Sequence, residues 1–263
     1  FGNPYKPENF WQLREAVEGA AEACRAFGTP VTGGNVSLYN ESPAGVVDPT
    51  PTIGMVGLIE KEEHITTQWF KSAGDEIILV GKVGDELGGS RFLKVCHGKK
   101  IGPPPNVDLE HEIEIQSIVR DLIRAGLVKS AHDCSEGGLA VAIAECCFNP
   151  KERLGAEIRI AAGTTAPTEI LFNESQSRIV ISVTPEDLEK TISILSATAD
   201  SSDGEREHGV PFRQLGKVCG DKLSIEVSRE KFSWPIADLH DDWWNSITRL
   251  VENDTCAEGI PSL

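Results

Sequence analysis

Three short stretches of the chain gather side chains able to do chemistry. The first is Gly33-Gly34-Asn35-Val36-Ser37. Two glycines let backbone N–H groups approach an anion, because no Cβ stands in the way. Asn35 brings a neutral amide oxygen, a reasonable ligand for a hard cation held beside phosphates. Ser37 is expected on the same strand face as Asn35. A glycine bend followed by two solvent-facing strand residues fits the same spacing, since short glycine-rich matches have low specificity. The second stretch is Ala131-His132-Asp133-Cys134-Ser135-Glu136-Gly137-Gly138-Leu139. It follows an apolar strand pattern and opens a helical one, and a helix N-terminus at a strand end favours anions. Asp133 suits a Mg²⁺ that bridges phosphates, and Ser135 suits the cap of the following helix. Plain N-capping, with glycines that permit close packing, accounts for the same residues. His132 by itself reads as a structural hydrogen-bonding residue rather than a catalyst. The third stretch, Phe172-Asn173-Glu174-Ser175-Gln176-Ser177-Arg178, either binds a small polar ligand or ties down a turn, and its spacing favours the tied turn.

Other chemistries are missing from the sequence. There is no G-x-x-x-x-G-K-[ST], no G-x-S-x-G and no H-E-x-x-H, which removes a P-loop, a nucleophile elbow and a zincin helix. Seven cysteines, irregularly spaced and without C-x-x-C, give neither a disulfide framework nor a zinc signature, and point to a reducing, cytoplasmic setting. Cys24, Cys146 and Cys147 fall in helical apolar patterns, as small buried hydrophobes. The net charge of −16 disfavours a broad phosphate-backbone interface, so no nucleic-acid partner is expected. No apolar run reaches the roughly 20 residues that span a bilayer. Trp243-Trp244 are expected to cover a core edge or a domain junction rather than to stack bases.

The elements that must position these stretches follow from periodicity. Apolar residues predict a helix over 8–27, capped by Asn9 and stopped by Gly28. Two short extended pieces flank Gly33-Gly34, a Pro-rich loop covers 42–51, and a strand runs Thr52–Ile59 with close packing at Gly54 and Gly57. A turn at Gly74-Asp75 leads into a strand at 76–80. A short helix opens at Leu87-Gly88-Gly89-Ser90 and ends near Gly98, and a Gly-Pro-Pro-Pro loop follows. Further helices are expected at 108–125, 139–148 and 186–199, and further strands at 128–133, 156–160, 177–183, 212–218 and 223–227. Residues 201–209 read as a polar loop and the tail from Asn253 as frayed. Without regular β-α-β alternation this is an α+β arrangement, with helices on a mixed or mostly antiparallel sheet. A break near 66–74 separates an N-terminal piece too small for a complete core from a larger compact unit. The start, Phe1-Gly2-Asn3-Pro4, has no Met, charged n-region or apolar h-region. It is not a signal peptide and reads as an interior stretch.

Taken together, four segments in order resemble one family: Phe1–Pro4, Gly28–Glu41, Pro49–Gly54 and Ser130–Leu139. The family is phosphoribosylformylglycinamidine (FGAM) synthase, in the form of the large synthetase subunit (PurL) of the bacterial three-subunit type, within the aminoimidazole ribonucleotide synthetase superfamily. The resemblance implies that residues 1–70 are the C-terminal part of a second A-type α/β domain. Residues 71–245 would be a second B-type domain, a mixed sheet backed by helices, and 246–263 a tail. It implies an ATP- and Mg²⁺-dependent ligase of purine biosynthesis. That enzyme phosphorylates the formamide oxygen of formylglycinamide ribonucleotide and displaces the phosphate with ammonia derived from glutamine. By position, Gly34 would contact ATP, Asn35 would bind magnesium and Ser37 would contact substrate. Asp133 and Glu174 match an internally related auxiliary nucleotide site, where larger relatives hold a structural ADP with magnesium. The family's catalytic histidines would lie upstream of Phe1, so none of the six histidines here takes that role. Implied partners are a glutaminase subunit, a small bridging subunit and the N-terminal half of the same subunit. The alternatives are another ATP-dependent enzyme of the superfamily, acting on an amide or selenide or in carbamoyl-phosphate-linked maturation, and a nucleotide-stabilised scaffold domain without catalysis.

Overall fold

The computed structural model describes residues 1–161, 163–197 and 209–254. The chain divides into two compact units, Phe1–Glu60 and Lys61–Leu263.

In the first unit, helix α1 spans Pro7–Phe27. Pro7 sits at the first helical position, where its missing N–H costs nothing. The helix therefore starts before Asn9, and the cap expected at Asn9 does not form. The N-cap is Lys6, without a side-chain bond. Asn9 is buried inside the first turn, and its Nδ2 donates to the Asn3 carbonyl at 3.1 Å. Gly28 ends the helix in the left-handed region at φ 62°, as expected of a glycine stop. A two-residue hairpin follows, β1 (Glu41–Ser42) against β2 (Gly45–Val46). The extended pieces around Gly33-Gly34 and the strand over Thr52–Ile59 do not form as strands. A strand needs a ladder partner for its backbone groups, and none faces either segment among the described residues of this unit. Ile53, Met55, Val56 and Leu58 stay exposed. Gly54 and Gly57 have open space where a Cβ would stand, so no close packing explains them.

The second unit begins with a 3₁₀ turn at Glu62–His64. Its elements then run β3 (Glu76–Val80), α2 (Arg91–His97), α3 (Leu109–Arg124), β4 (Ser130–Asp133), α4 (Gly138–Cys146), β5 (Ala156–Ile160), α5 (Pro167–Phe172), β6 (Ile179–Val183), α6 (Leu188–Ser196), β7 (Phe212–Val218), β8 (Lys222–Val227), β9 (Glu230–Pro235) and α7 (Ile236–Asp254). The sheet order is β4-β6-β3-β7-β5-β8-β9. Every pair is antiparallel except β5 with β8, so the sheet is mixed and the fold α+β, as the element pattern implies.

The central strand explains the layering. β3 is a continuous apolar run because both of its faces are buried. Ile77 and Leu79 point into a core shared with Leu139 and Ile143 of α4, Ile170 of α5 and Ile236 of α7. Ile78 and Val80 point into the opposite core, with Ile115 and Leu122 of α3 and Leu195 of α6. Towards β5 the second face opens to solvent, and the strand alternates buried and exposed along Ala-Glu-Ile-Arg-Ile.

Caps follow local chemistry. The Ser90 hydroxyl accepts from Leu93 N–H at the start of α2, and Asp108 accepts from His111 N–H at the start of α3. Three elements lie beyond what periodicity shows. α5 is six residues long, β9 is a short strand ending in Pro235, and α7 continues to Asp254, past the expected onset of fraying. α6 begins at Leu188, after a turn at 185–187. Residues 198–199 of the expected helix, 201–208 of the expected polar loop, Cys256 and the tail from 255 lie outside the described residues.

Candidate functional site

The first stretch lies in the first unit as open chain rather than strand. Residues 32–37 are all exposed. Gly34 has φ 151°, and neither Gly33 nor Gly34 has an atom within 4 Å of where a Cβ would stand. The glycines here leave backbone uncovered instead of allowing another segment to approach. The Asn35 side chain makes no hydrogen bond among the described residues. Ser37 is anchored: its Oγ and the Asn40 side chain bond at 3.0–3.2 Å. Asn40 N–H donates to the Phe1 carbonyl at 3.1 Å, and Tyr39 N–H to Gly2 at 3.3 Å. Gly33 also lines a groove of about 260 Å³ with Cys24 and Phe27 of α1 and with Ile53 and Met55. The stretch thus offers a bare backbone, a free amide and a fixed hydroxyl.

The second and third stretches meet in the second unit. Gly137 and Gly138 both have positive φ, 82° and 67°. A Cβ on Gly138 would stand 2.3 Å from the Asn173 carbonyl oxygen, so the start of α4 packs directly on the backbone of the third stretch. The cap expected of Ser135 does not form. Gly137 occupies the N-cap, and the Ser135 hydroxyl donates to Asp133 Oδ2 instead. Glu174 takes over the capping. Its Oε1 accepts from Gly137 N–H at 2.9 Å and from Arg91 N–H at 2.8 Å, placing one carboxylate at the starts of α4 and α2. The Arg91 guanidinium reaches Glu136 at 3.0 Å.

The rest of the third stretch ties a turn. Asn173, fully buried, donates from Nδ2 to Gly84 O at 2.9 Å and Glu169 O at 2.6 Å. Arg178, 2% exposed, donates to the carbonyls of Ser175 and Asn173, both at 2.8 Å. Burial lowers its pKa, and its Nη1 has no partner.

His132 is the centre of a chain of contacts. Its Nε2 lies 2.8 Å from Glu145 Oε2 and its Nδ1 3.4 Å from Asp133 Oδ1. Trp243 Nε1 donates to the other Glu145 oxygen at 3.1 Å. Burial opposes the imidazolium, but bonds to Asp133 and Glu145 outweigh it and push His132 up to about 9. The same His132 bond holds Asp133 and Glu145 below the usual carboxylate range. His132 is therefore a hydrogen-bonding residue of the fold, as its sequence context suggests. Trp243 covers a core edge, with its ring 5.4 Å from Phe148. Sequence reasoning missed Glu145 and Arg91, which sit on α4 and α2 outside the three stretches, and gave Glu136 of the second stretch no role.

Among the described residues no cluster of three His, Cys, Asp or Glu side chains forms a ready metal cage. Asp133 stays ionised and its side chain is two-thirds exposed, which suits a Mg²⁺ that takes most of its ligands from phosphate and water.

Comparison with known proteins defines the class first. Residues 1–59 match the AIR synthase related protein N-terminal domain, and residues 72–228 match the C-terminal domain. The chain belongs to the AIR synthase related protein family. More particularly, it is a homologue of phosphoribosylformylglycinamidine synthase subunit PurL. It is 44% identical over 270 residues to that subunit of Anaeromyxobacter sp. strain Fw109-5, covering 99% of this chain and 34% of the relative. It is 42% identical over 252 residues to that of Moorella thermoacetica, covering 95% and 33%. The chain spans about a third of the length of these curated relatives. A solved structure of T. maritima PurL complexed with FGAR shares the fold. Its TM-score is 0.53 at 19% identity, over 68% of this chain and 30% of that one.

Proposed function

We propose that this chain is the C-terminal part of the FGAM synthase synthetase subunit. On this reading it contributes to ATP-dependent conversion of formylglycinamide ribonucleotide to its amidine. The observation that carries the reading is collinear identity of 44% along 99% of the chain, which takes in both domain types together. Residues 1–70 then belong to a second A-type domain, 71–245 to a second B-type domain and 246–263 to a tail. Further support comes from relatives solved with ATP and with ADP, and from the PurLQS assembly of T. maritima. By that analogy the partners are a glutaminase subunit and a small bridging subunit, and the compartment is the cytoplasm.

Mg²⁺ and ATP, when bound, supply a transferable phosphoryl group and the means to neutralise its charge. The exposed Gly34 backbone suits a phosphate contact, and the free Asn35 amide oxygen suits the cation. The Ser37 hydroxyl, fixed by Asn40, suits a hydrogen bond that orients the substrate. Asp133 and Glu174 are assigned to an auxiliary nucleotide position. The general base is assigned to the part of the subunit upstream of Phe1. The test is ADP release dependent on formylglycinamide ribonucleotide and ammonia. The 263-residue chain alone is expected to give none, and a complete subunit containing it is expected to turn over. Turnover by the chain alone would refute the assignment of the base.

A second reading, a nucleotide-stabilised scaffold, draws on the internal commitment of Glu174 to two helix starts. A saturable thermal shift with Mg-ADP that persists in a subunit lacking turnover would favour it.

A further inference from the structure

The chain carries 41 acidic side chains, yet residues 87–107 contain none. Arg91, Lys94, Lys99 and Lys100 fall within this run. The fold closes the run on itself. α2 ends at Gly98, whose φ of 63° turns the chain back. There Gly98 N–H donates to Lys94 O and Lys99 N–H to Leu93 O, both at 3.0 Å. Gly89 N–H donates to Ile101 O at 2.9 Å and zips the start of the run to its far side. Two glycines permit this approach, which a side chain at either position would block. A Cβ on Gly88 would lie 1.9 Å from Pro103 O, and one on Gly102 would lie 2.8 Å from Gly88 Cα. Ser90 is 2% exposed and holds the first turn of α2.

The result is a fixed cleft of about 290 Å³ lined by Gly89, Ser90, Arg91, Lys94, Lys99 and Ile101, among others. Arg91 shares its charge with Glu136. Lys94 and Lys99 make no ion pair among the described residues, so none of those residues compensates their charge. Unpaired lysines lining one cleft favour a counter-charge within it. The space lies just below the roughly 300–1,000 Å³ of drug-sized ligand pockets, which suits a compact anion.

We propose that this cleft is a binding site for a small phosphate-type anion, orthophosphate or diphosphate. Lys94 and Lys99 supply the charge and Arg91 a guanidinium edge. The site adjoins the auxiliary position through Arg91, whose N–H donates to Glu174, but its charge comes from Lys94 and Lys99, which belong to neither assigned position. Calorimetric titration of the 263-residue chain with diphosphate, at ionic strength matched with NaCl, tests it. Saturable binding is expected, weakened about tenfold or more in the Lys94→Met/Lys99→Met double variant, which keeps the aliphatic stems. In the unmutated chain, diphosphate is expected to protect Lys94 and Lys99 from amine acylation while leaving Lys151 reactive. Any one of three results overturns the proposal: no saturation at millimolar diphosphate, equal affinity in the folded double variant, or preference for an acidic peptide over diphosphate.

Discussion

The two candidate regions hold similar residue types in opposite states. In the first unit Gly33, Gly34 and Asn35 are exposed, make few bonds and have empty space around the glycines. In the second unit the 132–138 and 172–178 stretches brace each other. Gly138 lies against the Asn173 carbonyl, Glu174 caps two helices, and Arg178 and Asn173 fill the turn beneath. Glycine pairs in the two places therefore do different work. One pair leaves backbone open to a ligand, and the other admits backbone to backbone. Residue type and spacing cannot separate these uses, but the space around a missing Cβ can.

Substitutions can sharpen or break the contrast. The largest effect is expected at Gly138→Ala. A Cβ at 2.3 Å from a carbonyl, with φ 67°, should cost about 3 kcal/mol or more, while Gly33→Ala should cost under about 1 kcal/mol. Chemical denaturation of both variants checks this, and equal costs would erase the distinction. Next, Asn173→Ala should cost about 2–3 kcal/mol by stranding buried carbonyls, while Asn35→Ala should change stability by under about 0.5 kcal/mol. A smaller effect is tied to pH. His132 has its pKa raised to about 9 in the fold, so its stabilising contribution is complete below about 6.5 and fades as pH rises through 9. Both its carboxylate partners keep some solvent contact, so the loss should be at most about 2 kcal/mol. Melting profiles from pH 6 to 10 should show this slope, flattened in His132→Gln. The smallest expected effect is at Trp243→Phe, which removes one bond to Glu145 at an exposed edge and should cost about 1 kcal/mol, read by denaturation.

Periodicity and punctuation made the second unit largely legible. The long helix α3 near 108–125, the glycine stop of α2 at Gly98 and the five-residue β3 all follow from local chemistry. Local reasoning failed where a partner decides. Thr52–Ile59 has strand composition but no ladder, and Asn9 looks like a cap but Pro7 starts the helix earlier. β9 is a mostly exposed edge strand ending in Pro235, and α5 is too short for a helical period to show. In the candidate sites, the glycines, Asp133 and Glu174 stood out by type. The roles of Glu145, Arg91 and Glu136 depend on contacts between elements distant in sequence, 45 residues apart for Arg91 and Glu136.

The functional reading is tested most directly by a chimaera in which this chain replaces the matching third of a PurL relative. Formation of the amidine product from formylglycinamide ribonucleotide, ATP and ammonia is then followed. The account predicts turnover, reduced about a hundredfold or more by Asn35→Ala with little loss of stability. A folded chimaera with no turnover, or full activity in the Asn35→Ala form, would contradict it.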